Sequence, residues 1–344
     1  MAAFFKKATV DASSVAATLT DYPTYIDLSR VGITTLAEAE SVRIYSDEAK
    51  TTELAREIVS VTECHCKIPS LTTTTDIYID ADGVRADYAV GATYGSEAVW
   101  VNYKLVTHTG ATDSSGNETL TANGGISAGG ATGQIGAATD YDGVNDYFKS
   151  SGINLNSTSA TMQAWLRNSD ISAEFRTWSV GETQAEGGSD QSMFGNIYSP
   201  QVNLSSNGIR GIASPIASTN RILTGYVSFA QDTTYMLHQT FGSTTLRGYL
   251  NGSQVYSGSN AGCALPTGEL FIYIGARPDV NAIQSHYEGW LGEFRWTDDT
   301  LSANWITTEY NNQNAEATFW GTWADVGGAS TPAQVARRGV IMMM

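Results

Sequence analysis

The densest group of oxygen donors in the chain is Asp140, Asp142, Asn145 and Asp146, within the stretch Gly133 to Phe148. Carboxylates and an amide gathered at one turn are the donors that hard divalent cations take, so these four residues form a candidate calcium site. The Asp142-Gly143 step also favours a turn on purely local grounds. Glycine accepts positive φ, and aspartate bonds to its own nearby backbone. Asp76, Asp80, Asp82 and Gly83 superficially suggest a second calcium loop. The EF-hand pattern would put its first and twelfth ligands at Tyr78 and Ala89, so the pattern fails and a hairpin turn is expected.

Other reactive residue types are sparse. Cys64-His65-Cys66 looks like a metal-binding fragment, but a period of two places His65 opposite the cysteines, and no second pair at zinc spacing exists. A strand with two small buried thiols is the expectation. His65, His108, His238 and His286 have no nearby Ser or Cys partner in a recognisable motif, and no Gly-x-Ser-x-Gly elbow is present. The Gly-rich run Gly124 to Gly136 lacks the Gly-Lys-Ser/Thr ending of a phosphate loop and reads as a connection. A non-enzymatic protein is expected. Trp178, Tyr198, Tyr287, Trp290 and Trp296 are candidates for stacking on sugar rings, although most tryptophans of a sandwich pack its core or sheet faces. No residue stands out as a carbohydrate-binding group.

The elements that must position these residues are strands. Charged residues are 16% of the chain and hydrophobic ones 42%, so cores can be buried. Gly, Tyr, Thr, Ser, Val and Ile dominate, and helix-forming runs are scarce, which points to an all-β protein. The net charge of −16 is spread along the chain; it repels phosphate backbones and argues against a nucleic-acid partner. Three cysteines, Cys64, Cys66 and Cys263, are too few and too odd for a disulfide framework. The N-terminus carries no secretory signal pattern, and no run suits a transmembrane helix, so synthesis in a cytoplasm without membrane insertion is expected.

Three segments are expected: a β-sandwich over 1–97, a larger two-sheet jelly roll over 98–326, and an extended tail over 327–344. In the first, Thr24–Leu28, Ser41–Tyr45, Arg56–Val61, Cys64–Ile68 and Asp76–Ile79 alternate as strands, and Thr35–Glu40 suits a brief helix. In the second, Trp100–Thr107 reads as a first strand. Ala160–Arg167, Gln201–Leu204 and others follow, and Thr245–Tyr256 forms a hairpin around Asn251-Gly252. Ser302 caps a single good helix candidate through Asn311.

The first segment resembles the DUF2341 family, a β-sandwich. The residues that carry the likeness are Phe5-Lys6-Lys7, Val10-Asp11, Leu19-Thr20-Asp21-Tyr22-Pro23, Val42-Arg43-Ile44-Tyr45, Lys67-Ile68-Pro69-Ser70-Leu71 and Ile77-Tyr78-Ile79. It departs from the family at Asp80 to Val84. The second segment resembles a LamG-like, concanavalin A-like jelly roll. Its marks are Asp113-Ser114-Ser115-Gly116-Asn117, Gly133-Gln134-Ile135-Gly136, Tyr141-Asp142-Gly143-Val144-Asn145-Asp146-Tyr147, Ile274-Gly275-Ala276 and Gly289 to Arg295. This resemblance implies lectin-like carbohydrate binding and, in many members, calcium at the sandwich rim. The laminarinase-like glycosidases of this fold need Glu-x-Asp-x-x-Glu on one strand, and no such run appears.

The pairing of these two resemblances implies a structural or attachment protein of a bacteriophage virion: a capsid decoration, tail or fibre component that meets a host-surface glycan. A homo-oligomer is expected, with the tail, basic at Arg337-Arg338 and apolar at its tip, docking on other virion subunits. The alternative is a free or cell-surface lectin-like adhesin.

Overall fold

A computed structural model describes residues 3–155, 159–181, 192–199, 208–213, 222–223, 228–259, 268–278 and 282–327. The tail from residue 328, the strand expected at Gln201–Leu204 and Cys263 lie outside them. The architecture is all-β, as the composition required, and the two largest apolar clusters among the described residues are separate cores. No helix among the described residues is long and apolar enough to cross a membrane.

The first core lies between two antiparallel sheets. One runs in the order Ala324–Asp325, Phe4–Thr9, Asp76–Ala81, Arg43–Tyr45, Glu53–Leu54; the other is Leu19–Asp27, Glu63–Leu71, Arg56–Ile58. Alternation decides what goes inside: Cys64, Cys66 and Ile68 point into the core with Tyr22, Ile26, Ile77 and Ile79. The brief helix Leu36–Glu40 forms, its start closed by a capping box between Thr35 and Glu38.

This core also contains Phe319, Trp320 and Trp323, and Ala324–Asp325 adds an edge strand to Phe4–Thr9. The end of the segment assigned to the jelly roll therefore returns to complete the first sandwich.

The second core lies between two larger sheets. The first runs Ser127–Thr132, Ala137–Asp142, Glu288–Thr297, Ala160–Asn168, Thr234–Phe241, Thr245–Leu250, Ser253–Ser259, with Leu105–Thr107 also on Glu288–Thr297. The second runs Ile222–Leu223, Gly208–Ala213, Ser192–Ser199, Trp178–Gly181, Gly268–Ile274, Tyr147–Ser150, Leu120–Asn123. Met162, Ala164 and Leu166 face Trp178, Val180, Ile272 and Ile274 across it. The turn after Asp142 carries the chain from one sheet to the other, since Ala137–Asp142 and Tyr147–Ser150 pair with different partners. Asn251 (φ 51°) and Gly252 (φ 77°) make the expected hairpin turn with positive φ at both central positions.

Two expectations fail. Trp100–Thr107 is not one strand: a short helix, Ser96–Val99, precedes it, and only Leu105–Thr107 pairs. Trp100 and Tyr103 both turn into a side cluster with Val99, Val106 and Ala55, so they do not alternate. The Gly-rich connection contains a strand, Ser127–Thr132, because small residues can lie as an exposed edge against Ala137–Asp142.

The helix Ala303–Asn314, capped by Ser302, lies between the two sandwiches. On one side Gln313 accepts from the indole of Trp165 at 2.6 Å. On the other, the Asn312 side chain accepts from the Tyr25 amide at 2.7 Å and donates to the Tyr25 carbonyl at 3.0 Å. The outer face of the first jelly-roll sheet is thereby covered.

Candidate functional site

Period two on both sides of the junction builds a buried charged cluster. Because Cys64 and Cys66 enter the first core, Glu63 and His65 point the other way, toward the jelly roll. Glu57 stands in register with His65 on the neighbouring strand. From the jelly roll, the strand Leu105–Thr107 delivers His108 just beyond its end, Thr234–Phe241 delivers His238, and the helix delivers Glu309.

Glu288–Thr297 delivers Glu293 and Arg295 through a bulge. Tyr287 and Leu291 face the apolar core, so strict alternation would send Glu293 there too. Instead the register with Ala160–Asn168 shifts between Gln163 and Trp165, and Glu293 adopts φ 56°. The extra residue turns Glu293 outward beside Arg295 and returns Phe294 and Trp296 to the core. A non-glycine residue at positive φ inside a strand is strained, and the surrounding contacts must hold it there.

The contacts form one network. His108 Nδ1 is 2.5 Å from Glu293 Oε1, and its Nε2 is 3.0 Å from Glu57 Oε2, which also accepts from the Trp100 indole. His65 Nε2 lies 3.3 Å from Glu63 Oε1 and 3.6 Å from Glu293 Oε2. The two imidazoles stack, 4.8 Å between centroids. Arg295 donates to Glu293 at 2.7 Å and to Glu309 at 2.6 Å, and sits 4.7 Å from the centroid of the Trp100 ring. Glu309 in turn bonds His238 Nε2 at 3.0 Å.

Burial and mutual charge set the protonation states. Burial opposes the His108 imidazolium, but Glu293 and Glu57 outweigh it and hold its pKa well above the usual histidine value. Burial likewise opposes ionisation of Glu57, yet the charge and hydrogen bond of His108 bring that carboxyl down to about 2. Glu293 is held well below the carboxylate range, against its burial, by His108 first and then by His65 and Arg295. Glu63 is pushed well up, by burial and then by Glu293, and burial lowers His65 to about 3. These surroundings favour a charged His108 between the Glu57 and Glu293 carboxylates, and the neutral forms of Glu63 and His65. Such a cluster locks the two sandwiches together. Glu63, His65, His108 and Glu293 also present four donor atoms, all within 4.8 Å of one another.

The residues singled out from the sequence lie elsewhere. Asp140 is exposed on the opposite side of its strand from Tyr141. Asp142 accepts from the amides of Val144 (2.8 Å) and Asn145 (3.2 Å), which lower its pKa, the Val144 bond most. Asp146 is buried and accepts from the amides of Gly125 (2.6 Å) and Asp142 (3.1 Å). Asn145 is exposed. The turn thus employs the side chains of Asp142 and Asp146 as backbone acceptors. Trp178, Tyr287 and Trp296 are fully buried in the jelly-roll core and Trp290 is 7% exposed, so none offers a face to a sugar. The side chain of Tyr198 lies outside the described residues.

Among the histidines, His65 does lie opposite the cysteines, but that face is the junction. The pairing of a carboxylate with the residue two positions on was the sequence signal: Glu63-x-His65, and Glu293-x-Arg295 amid Trp, Leu and Phe.

A comparison with curated proteins finds no match. Among solved structures, the chain is similar to domain 4 of a GH43 extracellular arabinanase from Geobacillus stearothermophilus, in complex with arabinotriose. That likeness has 18% identity and TM-score 0.45, over 60% of this chain and 98% of that one. It is also similar to the botulinum neurotoxin serotype D ligand binding domain in complex with N-acetylneuraminic acid, at 15% identity and TM-score 0.45, covering 64% of this chain and 53% of that one. Residues 142–307 match the family described as the concanavalin A-like lectin/glucanases superfamily.

Proposed function

We propose that the protein is a non-enzymatic structural and attachment component of a bacteriophage particle whose concanavalin A-like domain binds a host-surface glycan. The concanavalin A-like domain carries this reading. Its placement in the molecule sharpens it: the sheet face bearing Gln163, Trp165, His238 and Arg295 is buried against the helix and the first sandwich. Glycan contact must therefore use another part of the jelly roll. The buried ion network fixes the jelly roll on its neighbour, which suits presentation of a recognition surface at a set angle. The particle setting, the homo-oligomer and docking by the tail over 327–344 rest on the DUF2341-like and LamG-like pairing and on the tail's charge.

A glycan array probed with the full chain, in calcium and in chelator, tests the binding; uniformly blank spots would remove it. Electron microscopy of particles with a labelled chain tests the setting. Glycan binding without incorporation into particles would favour a free or cell-surface adhesin instead.

A further inference from the structure

We propose that Glu63, His65, His108 and Glu293 form a structural site for one divalent transition metal of the zinc type, joining the first sandwich to the jelly roll. Two imidazoles and two carboxylates are a donor set that suits such an ion, and four protein ligands close the shell as structural sites do. The spacing fits. Glu63 Oε1 lies 3.3 Å from His65 Nε2 and 3.4 Å from His108 Nδ1, and His65 Nε2 lies 3.6 Å from Glu293 Oε2. Bonds of roughly 2.0–2.1 Å to a tetrahedral ion require donor separations of about 3.3–3.4 Å. The 2.5 Å contact of His108 with Glu293 Oε1 must lengthen, and the wider donor pairs of the group, which spans up to 4.8 Å, must close around the ion.

Three independent features support a cation. Among the described residues, the buried carboxyl groups Glu57, Glu63, Glu293 and Glu309 face one guanidinium, Arg295, and the first three share the imidazole of His108; a divalent ion in place of the His108 proton would serve Glu63 and Glu293 together. Glu57 already holds His108 Nε2 at 3.0 Å, the carboxylate–histidine arrangement that orients a metal-bound imidazole. The strained bulge at Glu293 sends a carboxylate to this point where regular alternation would not. A cleft of about 90 Å³ lined by Arg56, Asp87, Tyr88 and Ser96 reaches Glu57, the partner of His108 Nε2.

The test is cobalt titration of the full chain after treatment with a chelator, followed by zinc. The expected result is one cobalt per chain, visible bands of tetrahedral intensity, bleaching by zinc, and a higher melting temperature with zinc bound. Glu57→Gln, which removes no ligand, should raise the apparent Kd about 10- to 100-fold. Folded wild-type protein with no cobalt bands and a melting temperature unmoved by excess zinc would overturn the proposal. So would an unchanged Kd in Glu57→Gln, or bands that persist in folded Glu63→Gln or His108→Gln.

Discussion

The chain gathers carboxyl groups in two places, and they do opposite things. At the turn after Ala137–Asp142 the acids are neighbours in sequence, and Asp142 and Asp146 accept from amides two to four residues away or from Gly125. At the junction the acids come from positions 57, 63, 293 and 309, and their partners are imidazoles and a guanidinium. The first group satisfies a backbone that the turn leaves unpaired. The second neutralises charge that two sandwiches have taken out of water. Density of acidic residues in a sequence is thus a poor guide to where charge is concentrated, because a carboxylate beside a turn has amide donors within reach and a carboxylate in a strand does not.

The contrast is sharpest at Arg295. Arg295→Met leaves Glu309 buried without its guanidinium and Glu293 with His108 alone, and should cost about 3–5 kcal/mol in denaturant unfolding. A loss near zero would mean that the junction carries no such charge. Asp146→Ala should cost less, about 1–3 kcal/mol, since it leaves the amides of Gly125 and Asp142 without their acceptor. In the same experiment, millimolar calcium should leave the wild-type melting temperature unchanged if these side chains serve only the backbone; a calcium-dependent rise abolished by Asp146→Ala would assign the turn to cation binding.

The smallest effect is expected at the capping box. The amide and hydroxyl of Thr34, and then the amide of Thr35, hold the Glu38 carboxyl down at about 2. Its folded pKa lies below the unfolded one, so its contribution is present above the ordinary glutamate range and lost as pH falls toward about 2. The difference between wild type and Glu38→Gln should shrink over that window in unfolding measured at a series of pH values. A difference independent of pH would exclude the carboxylate as its source.

Local features were legible where local rules suffice. Asn251-Gly252 demanded positive φ, Ser302 supplied a cap, and the alternation around Cys64 and Cys66 named the face that enters the core. The jelly roll was legible because its turns and aromatic strands fall in a recognisable order. What failed did so for tertiary reasons. Trp100 and Tyr103 leave the strand pattern for a side cluster. Glu293 could not be placed by period two, because a bulge inverts the face on which it lies.

The amino-acid order alone determined strands, turns and the face of each strand that avoids water, since these depend on neighbours one to four residues apart. Only the tertiary structure decided that the polar face of His65 and the polar face of Arg295 would be pressed together. It also decided that residues 319–325 would return to the first sandwich. The physical reason is that burial of a second face depends on which sheet covers it, and the covering groups stand hundreds of residues away along the chain.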